Sequence, residues 1–394
     1  MPTATASASV EDAVNRRSGD LIELSHAIHA EPELAFAEFK SCAKAQALVA
    51  ERGFEMTVAP GGLETAFRAE FGSGPLVIGI CAEYDALPGI GHACGHNIIA
   101  ASAVGAALGL AEVADELGLT VVLLGTPAEE AGGGKALLLN AGTFDDIAAA
   151  VMLHPGPTDI ACARSLACSE AEVTYLGKES HAAVAPYLGL NAADAITVAQ
   201  VAIGLLRQQF VPGQMAHGIV VDGGRAANVI PGKSVLQYTM RATDAPSLRH
   251  LEERMGNCFL AGSIATGCEY EVDQTEPPYD ELTPDKWLAD VFRAEMFRLG
   301  RTPVAKEFEA AMPLGSTDMG NVTKVMPGIH PVVGLDAGGA SVHQPAFATA
   351  AASPSADKAV VEGAIMLART VVSLAETPAE RDRVLEQFAQ RVAS

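Results

Sequence analysis

The chain has 394 residues, of which 49% are hydrophobic, and a formal net charge of −22 at pH 7. A chain of this length usually forms more than one domain, because single hydrophobic cores stop growing at about 250–300 residues. The charge disfavours nucleic acids and anionic membranes, which are bound by clustered Lys and Arg. No apolar run approaches the ~20 residues of a membrane span, and the first residues lack a signal-peptide pattern. We therefore expect a cytoplasmic protein with no nucleic-acid or membrane partner.

Predicted helices and strands alternate along the first part of the chain. Helices are expected at residues 10–29, 33–52, 95–117 and 134–140, and strands at 76–82, 120–125 and 148–153. This alternation predicts an α/β fold with a mainly parallel sheet sandwiched by helices. Ligands of such sheets bind beyond the carboxyl ends of the strands. Acids and a histidine follow the three strands: Glu83, Asp85, Glu129, Glu130 and His154.

The pattern changes at about residue 169. Strands at 170–176, 218–222, 234–241 and 269–273 combine with helices at 191–208 and 245–260 in the order βαββαβ. This order is typical of a ferredoxin-like α+β module. After residue 278, helices and strands alternate again. We predict a discontinuous first domain of residues 1–168 and 279–394, interrupted by an inserted domain of residues 169–278, which we call the lid domain.

The segment AEYDALPGIGHACGHN, residues 82–97, is the densest group of metal-binding side chains. A thiolate such as Cys94 and an imidazole such as His96 are ligands that suit zinc and other divalent first-row metals. Small residues beside them, including Gly95, allow a loop to approach an ion closely. A buried loop in which these side chains only pack and form hydrogen bonds would carry the same residues.

The adjacent acids Glu129 and Glu130 precede a glycine run. Successive residues of an extended segment point to opposite sides, so one acid could bind metal while the other handles a proton. Burying both without a cation would be costly, although a solvated acidic loop is a common alternative. His154, in LHP, and His343, in SVHQP, complete the candidate ligands.

In this combination the chain resembles the amidohydrolase branch of the aminoacylase/carboxypeptidase metallopeptidases, peptidase family M20. That branch includes hippurate hydrolases, hydrolases of auxin conjugates, aminobenzoyl-glutamate hydrolase subunits and related dipeptidases. The resemblance runs through GHACGHN, TPAEE, LHP, KESHAA, GLNAADA, GGRAANVIP, GSTDMGNV and SVHQP. Glu83 departs from the Asp that is common in the branch, and Asn97 replaces a frequent Asp.

The resemblance implies a dinuclear metal-dependent amidohydrolase or peptidase with two divalent ions per chain, Zn²⁺ or Mn²⁺. Its substrates would be N-acyl amino acids, aminobenzoyl-glutamate-like conjugates or dipeptides. The implied ligands are Cys94 as a bridge, Glu130 and His343 on one ion, and His96 and His154 on the other. The other implied roles are Glu129 as general base, Asp85 as an orienting residue, His181 as an oxyanion-stabilising residue from a partner subunit, and Asn228, Arg241, Gly315 and Ser316 as substrate-binding residues. A homodimer through the lid domain is also implied.

Two other functions fit the same residues. The chain could be an accessory subunit of a hetero-oligomer of related chains, although every implied ligand and Glu129 are present. It could instead be a thiol hydrolase with Cys94 as the nucleophile and His96 as its base. Activity without a partner chain would argue against the first alternative, and loss of activity on metal removal would argue against the second.

Overall fold

The structure is a computed structural model, and it describes residues 4–312 and 315–393. The chain forms two compact units. The discontinuous unit comprises Met1–Arg164 and Leu282–Ser394, and the inserted unit comprises Ser165–Glu281. The boundaries expected from the sequence, residues 169 and 278, lie a few residues inside the inserted unit.

The strands, numbered in chain order, are β1 Glu55–Val58, β2 Phe67–Gly72, β3 Leu76–Ala82, β4 Leu119–Gly125, β5 Ala149–Val151, β6 His154–Gly156, β7 Ala167–Leu176, β8 Ser180–His181, β9 Met215–Asp222, β10 Val229–Ile230, β11 Lys233–Ala242, β12 Glu269–Asp273, β13 Gly328–Ile329 and β14 Val332–Gly334. The helices are α1 Ala4–Arg16, α2 Ser18–His29, α3 Phe39–Ala50, α4 His96–Ala111, α5 Ala114–Leu117, α6 Gly134–Asn140, α7 Ala192–Leu206, α8 Ala245–Thr266, α9 Lys286–Arg298, α10 Lys306–Glu309, α11 Met319–Val325, α12 Pro345–Ala350, α13 Pro354–Glu376 and α14 Pro378–Ala393.

The discontinuous unit is built on a six-stranded sheet with the order β1-β2-β4-β3-β5-β13. Strands β4, β3, β5 and β13 are parallel, and β2 and β1 extend one edge in antiparallel fashion. Side chains of β3 alternate between two cores. Ile78 and Ile80 pack on the face that includes α4 and α13, whereas Cys81 packs with Phe144 and Met319 on the other. Helices therefore cover both faces, which confirms the predicted α/β class.

The parallel register places the ends of three strands side by side. Ala82 of β3 pairs with Gly125 of β4, and Ile80 pairs with Val151 of β5. The segments that follow these strands consequently leave the sheet at one edge, where ligands of parallel sheets bind. This edge carries the acids and histidines singled out from the sequence.

The inserted unit has a four-stranded antiparallel sheet with the order β12-β7-β11-β9. Helices α7 and α8 pack together against it, and their core includes Leu236 and Tyr238 of β11 with Leu251 and Phe259 of α8. The element order and strand order are those of a ferredoxin-like module, as predicted. The short strands β8 and β10 pair with each other in a separate ribbon.

Several predicted helices differ from the structure in their bounds. The helix expected over residues 95–117 is divided into α4 and α5, and the helix expected over residues 245–260 continues to Thr266. The helix expected over residues 10–29 is divided into α1 and α2 at Arg17, which has φ −100° and ψ 6°; a Ser-Gly pair follows, and such pairs are frequent at kinks. The helix expected from residue 33 begins only at Phe39. Phe36 has a left-handed φ of 61°, and the Glu33 carboxylate accepts the N–H groups of Lys40 and Ser41 at the start of α3.

The strand expected over residues 148–153 is also divided. Its first part, β5, belongs to the large sheet, and the chain then forms β6, which pairs with β14 in a second sheet. His154 begins β6.

Across the described residues, no helix combines the length and the apolar character needed to cross a membrane.

Candidate metal centre

The loop before α4 depends on a glycine. Cys94 lies in this loop and His96 is the first residue of α4; Gly95 between them has a left-handed φ of 76°. A side chain at position 95 would collide with Pro155. The glycine therefore lets this loop approach β6 closely enough to bring Cys94 beside His154.

Cys94, His96 and His154 form a first group of ligand-type residues, with one candidate atom from each lying within 4.8 Å of the others. The Sγ atom of Cys94 is 3.4 Å from Nε2 of His154. Nδ1 of His154 donates a hydrogen bond to the carbonyl oxygen of Pro155 at 2.6 Å. Because a neutral imidazole carries one N–H, Nε2 of His154 retains its lone pair on the side of Cys94.

Cys94, Glu130 and His343 form a second such group. Nε2 of His343 lies 3.4 Å from Oε2 of Glu130. His343 has a left-handed φ of 64°, and its N–H donates to the carbonyl oxygen of Ala93 at 2.9 Å. This bond joins the SVHQP segment to the GHACGHN segment, and Cys94 is the residue that the two groups share.

Asp85 connects the two groups. Its Oδ1 accepts the Nδ1–H of His96 at 2.8 Å, and its Oδ2 accepts the backbone N–H of Glu130 at 2.9 Å. Burial opposes ionisation of Asp85, but His96 and the Glu130 amide lower the pKa of this carboxyl below its ordinary value. In a neutral His96 ring, the bond to Nδ1 leaves Nε2 with its lone pair, the arrangement found behind metal-binding histidines.

The residues fit divalent cations. Among the described residues, Nε2 of His96 and Oε1 of Glu130 are buried without a hydrogen-bond partner. Nε2 of His96 lies 3.5 Å from Glu83 and 3.8 Å from both Glu129 and Glu130. Buried carboxylates require compensating positive charge, and a thiol, imidazoles and a carboxylate are a donor set for zinc and related ions.

Burial shifts the pKa values of three other residues of the site. It raises the pKa of Cys94 well above its ordinary value, and Glu130 raises it further. Burial also raises the pKa of Glu129, with Glu83 and Glu130 adding to the effect, and lowers the pKa of His154 to about 4. A coordinated cation would reverse the preference of Cys94, because a thiol that binds a metal is deprotonated.

The sequence did not predict that the side chain of a buried lysine, Lys135, lies among the carboxylates of this site. Nζ of Lys135 lies 2.5 Å from Oε1 of Glu83 and 2.6 Å from Oδ1 of Asp318, and all three side chains are buried. Glu83, His96 and Glu129 form a third group of ligand-type residues. Since Lys135 already neutralises Glu83, we assign no ion to this third group. The feature of the sequence that could have indicated a buried lysine is its position in the mainly apolar segment KALLLN.

Two further buried residues were not predicted. His330 lies beside His154, with ring centroids 5.5 Å apart, and burial lowers the pKa of His330 to about 3. Glu38 accepts the backbone N–H of Ala128, directly before the acid pair. The sequence offered no signal for either residue, because both contacts join segments far apart in the chain.

The inserted unit carries three of the predicted site residues. His181 is exposed in β8, and the pairing of β8 with β10 brings it next to Asn228, whose carbonyl oxygen accepts the N–H of Ala182 at 3.0 Å. Strand β11 begins at Lys233, shortly after Asn228 and β10 in the chain. Arg241 lies near the opposite end of β11, about 26 Å from Lys233 at the usual rise of a strand. Within this unit, the structure therefore brings Asn228 and His181 together but does not bring Arg241 to them.

Gly315 and Ser316 belong to the discontinuous unit. Gly315 is exposed and has a left-handed φ of 76°. Ser316 is half-buried and lies two positions before Asp318, the partner of Lys135. The two predicted substrate-binding positions therefore lie in the same short segment as Asp318, one partner of the buried ion pair.

Comparisons with known proteins agree with the motifs. The family model described as peptidase family M20/M25/M40 matches residues 79–372. The Xaa-Arg dipeptidase of Mus musculus is 37% identical over 413 residues, covering 98% of this chain and 94% of that protein. A p-aminobenzoyl-glutamate hydrolase subunit of Escherichia coli is 30% identical, covering 65% of this chain and 58% of that protein.

Solved structures share the fold. A Bacillus subtilis protein described as a dinuclear metal binding peptidase from the M20 family has a TM-score of 0.68 and 23% identity, covering 92% of this chain and 99% of that chain. The family model and the mouse relative confirm the resemblance inferred from the sequence motifs. The chain belongs to peptidase family M20/M25/M40 and is a hydrolase of peptide and amide bonds.

Proposed function

We propose that the protein is a dinuclear metal-dependent dipeptidase, with N-acyl amino acids and aminobenzoyl-glutamate-like conjugates as the other substrate classes to be tested. The observation that carries the proposal is the pair of ligand groups that share Cys94 beside two acids. The name of the mouse relative, which aligns over nearly the whole chain, supports dipeptides ending in arginine. The Escherichia coli relative aligns over a smaller share and supports aryl-glutamates less strongly.

Cys94 would bridge two divalent ions, Zn²⁺ or Mn²⁺. Glu130 and His343 would complete the protein ligands of one ion, and His96 and His154 those of the other. When bound, such ions lower the pKa of a water molecule and polarise a carbonyl oxygen. The Bacillus subtilis protein is described as binding a dinuclear metal centre, which supports the same number of ions here.

Glu129 would be the general base. It lies next to Glu130, and 7% of its surface is exposed. Glu129 would take a proton from the attacking water and return it to the leaving amine. Asp85 would act through its bonds to His96 and Glu130, which hold both side chains in place.

His181 is suited to stabilising an oxyanion. Its Nδ1 accepts the backbone N–H groups of Ala183 and Val184, each at 3.2 Å. A neutral ring with this pattern carries its proton on Nε2, which is then the hydrogen-bond donor. We propose that this N–H faces the tetrahedral oxygen that develops when the amide carbon is attacked, in the site of a partner subunit.

A homodimer formed through the inserted unit would supply that partner. Strand β9 is at the edge of its sheet, and Ile219, Val220 and Val221 on it are exposed. Exposed apolar edge strands favour pairing with another chain. In such a two-fold symmetric dimer, His181 of each copy would serve the site of the other copy.

Four residues would bind the substrate: Asn228, Arg241, Gly315 and Ser316. The guanidinium of Arg241 can form two parallel hydrogen bonds with a carboxylate, which would select substrates with a free C-terminal carboxylate. No observation favours the accessory-subunit alternative, because one chain contains all the candidate ligands together with Glu129.

A substrate panel tests the proposal. Metal-reconstituted enzyme is assayed with dipeptides that end in Arg, Glu or Ala, with N-acetyl amino acids and with aminobenzoyl-glutamate. We expect the highest kcat/KM for a dipeptide ending in Arg. Faster hydrolysis of aminobenzoyl-glutamate would contradict the assignment to dipeptides. The Glu129→Gln variant, purified in the same way, is the control, because any activity that it retains on the panel measures contamination by other hydrolases.

A further inference from the structure

The segment between α2 and α3 contacts both loops that carry the candidate ligands. The carbonyl oxygen of Glu33 accepts the N–H of Ala86, in the loop after β3, at 2.8 Å. The ring of Phe36 packs against Gly132, where any side chain would collide with it. The carboxyl group of Glu38 reaches the loop after β4 from within the core. The proposed hydrolytic mechanism uses none of these contacts.

Glu38 is fully buried and has two partners. Its Oε1 accepts the N–H of Ala128 at 2.9 Å, and its Oε2 accepts the hydroxyl of Thr65 at 2.7 Å. The carbonyl oxygen of Thr65 in turn accepts the hydroxyl of Tyr84. Burial raises the pKa of Glu38 to about 7, and the bond from Thr65 opposes this only in part. Glu38 thus links the start of α3 to the segments before β2 and after β4, and Thr65 in turn is bound by Tyr84 from the segment after β3.

Ala128 has an unusual backbone. Its φ is 59°, in the left-handed region, where the Cβ of an L-residue approaches a carbonyl oxygen too closely. Such conformations persist only where the surrounding structure imposes them. The N–H of Ala128 is held by Glu38, and its carbonyl oxygen accepts the N–H of Gly134 at 3.3 Å. The chain turns here, and the next residue is Glu129.

We propose that Glu38 is a positioning residue, which holds the Ala128 amide in its left-handed conformation and thereby directs Glu129 toward the reacting groups. This inference rests on the proposed role of Glu129 as the general base. Glu130 is anchored separately, because its N–H is bound by Asp85. Loss of Glu38 should therefore disturb the base more than the metal ligands.

Two substitutions of Glu38 test this role. Glu38→Leu keeps the bulk but removes the acceptor, and it should lower kcat by about 10- to 100-fold, the scale expected when a catalytic group is misplaced by about 1 Å. KM and metal content should stay near their wild-type values. Glu38→Gln retains an oxygen for Ala128 and an amide donor for Thr65, and it should keep kcat close to wild type. Glu38→Met replaces Glu38→Leu if that variant does not fold.

A compensating substitution separates positioning from general stability. Glycine adopts positive φ without steric strain, so Ala128→Gly added to Glu38→Leu should raise kcat by about tenfold, the factor that the left-handed strain of alanine represents. Ala128→Gly alone should leave kcat near wild type. Thr65→Val is the matched control, because it removes the other hydrogen bond of Glu38. It should lower the thermal midpoint while the folded protein keeps its kcat.

Two results would overturn the proposal. One is wild-type kcat for Glu38→Leu at full metal occupancy, and the other is no gain in kcat when Ala128→Gly is added to Glu38→Leu. Failure of the proposed function is distinguishable from both. If Glu129→Gln retains wild-type turnover, the base assignment is wrong, and the role of Glu38 falls with it.

Discussion

At the residue scale, the adjacent acids Glu129 and Glu130 have different surroundings and should behave differently. Glu129→Gln should preserve metal content and lower turnover by about two to four orders of magnitude, the usual effect of losing a general base. Glu130→Gln should reduce metal affinity, because this carboxylate belongs to a ligand group with Cys94 and His343. Metal analysis and turnover of both variants check the assignment, and the opposite pattern would reverse it.

The buried ion pairs of Lys135 should contribute strongly to stability. Lys135→Met leaves Glu83 and Asp318 buried without their cation, and removing one partner of a buried pair costs about 3–5 kcal/mol. Urea unfolding measures the loss. Lys306→Met is the matched control, because the pair between Lys306 and Asp290 is exposed and such pairs contribute at most about 1 kcal/mol. Equal effects of the two variants would contradict this expectation.

The sequence predicted residues whose chemistry is visible in short motifs, such as Cys94 and His96 in GHACGHN. It did not predict the contact between Lys135 and Asp318, which are separated by 183 positions. The identity of a buried lysine's partner depends on which segments the fold brings together. Glu38 was missed for the same reason, since its bond to Ala128 spans 90 positions.

At the element scale, the loop from β4 to α6 is shaped by a glycine with no room for a side chain. A Cβ at Gly134 would overlap the carbonyl oxygen of Pro127. Gly134→Ala should therefore destabilise the protein by about 3 kcal/mol, the upper range for overpacking, and should lower metal occupancy because the loop carries Glu130.

Gly256→Ala is the control for that prediction. Gly256 lies inside α8, and a methyl group added there would have no atom within 4 Å. Alanine is the better helix former, so this variant should gain up to about 1 kcal/mol. Chemical unfolding and metal analysis of both variants give the comparison. A neutral Gly134→Ala variant would show that the loop adjusts without cost.

Strands and helices with strong apolar patterns were predicted closely, and β3 and α6 have the expected bounds. The edge strand β1 and its neighbour β2 were not predicted, because EMTV and FRAEFG are short and partly polar. The start of α3 was placed too early, since no local pattern reveals that Phe36 adopts a left-handed φ. These differences arise where tertiary contacts, rather than local propensity, decide the backbone.

At the scale of the whole molecule, the proposed exchange of His181 between subunits predicts complementation. His181→Ala chains and Glu129→Gln chains should each be nearly inactive alone. When they are mixed and exchange subunits, one site of each mixed dimer contains an intact Glu129 and receives an intact His181 from its partner. Activity should then reappear in proportion to the mixed dimer.

The control is a mixture in which both chains carry both substitutions, which should stay inactive. Verified mixed dimers without recovered activity would show that His181 serves its own chain or has no catalytic role.

The ferredoxin-like order of the inserted unit was predictable from its helices and strands. The assembly was not, because an edge strand such as β9 indicates pairing without identifying the partner.

The most direct test of the dinuclear hydrolase is metal content measured together with activity. Chelated and reconstituted samples of wild type and Cys94→Ser are analysed for bound ions and assayed on one dipeptide. We expect about two ions per chain in the active wild type, as a two-metal site requires, none and no activity after chelation, and loss of both ions in Cys94→Ser. Full activity in the metal-free wild type would contradict the dinuclear mechanism and favour Cys94 as a nucleophile.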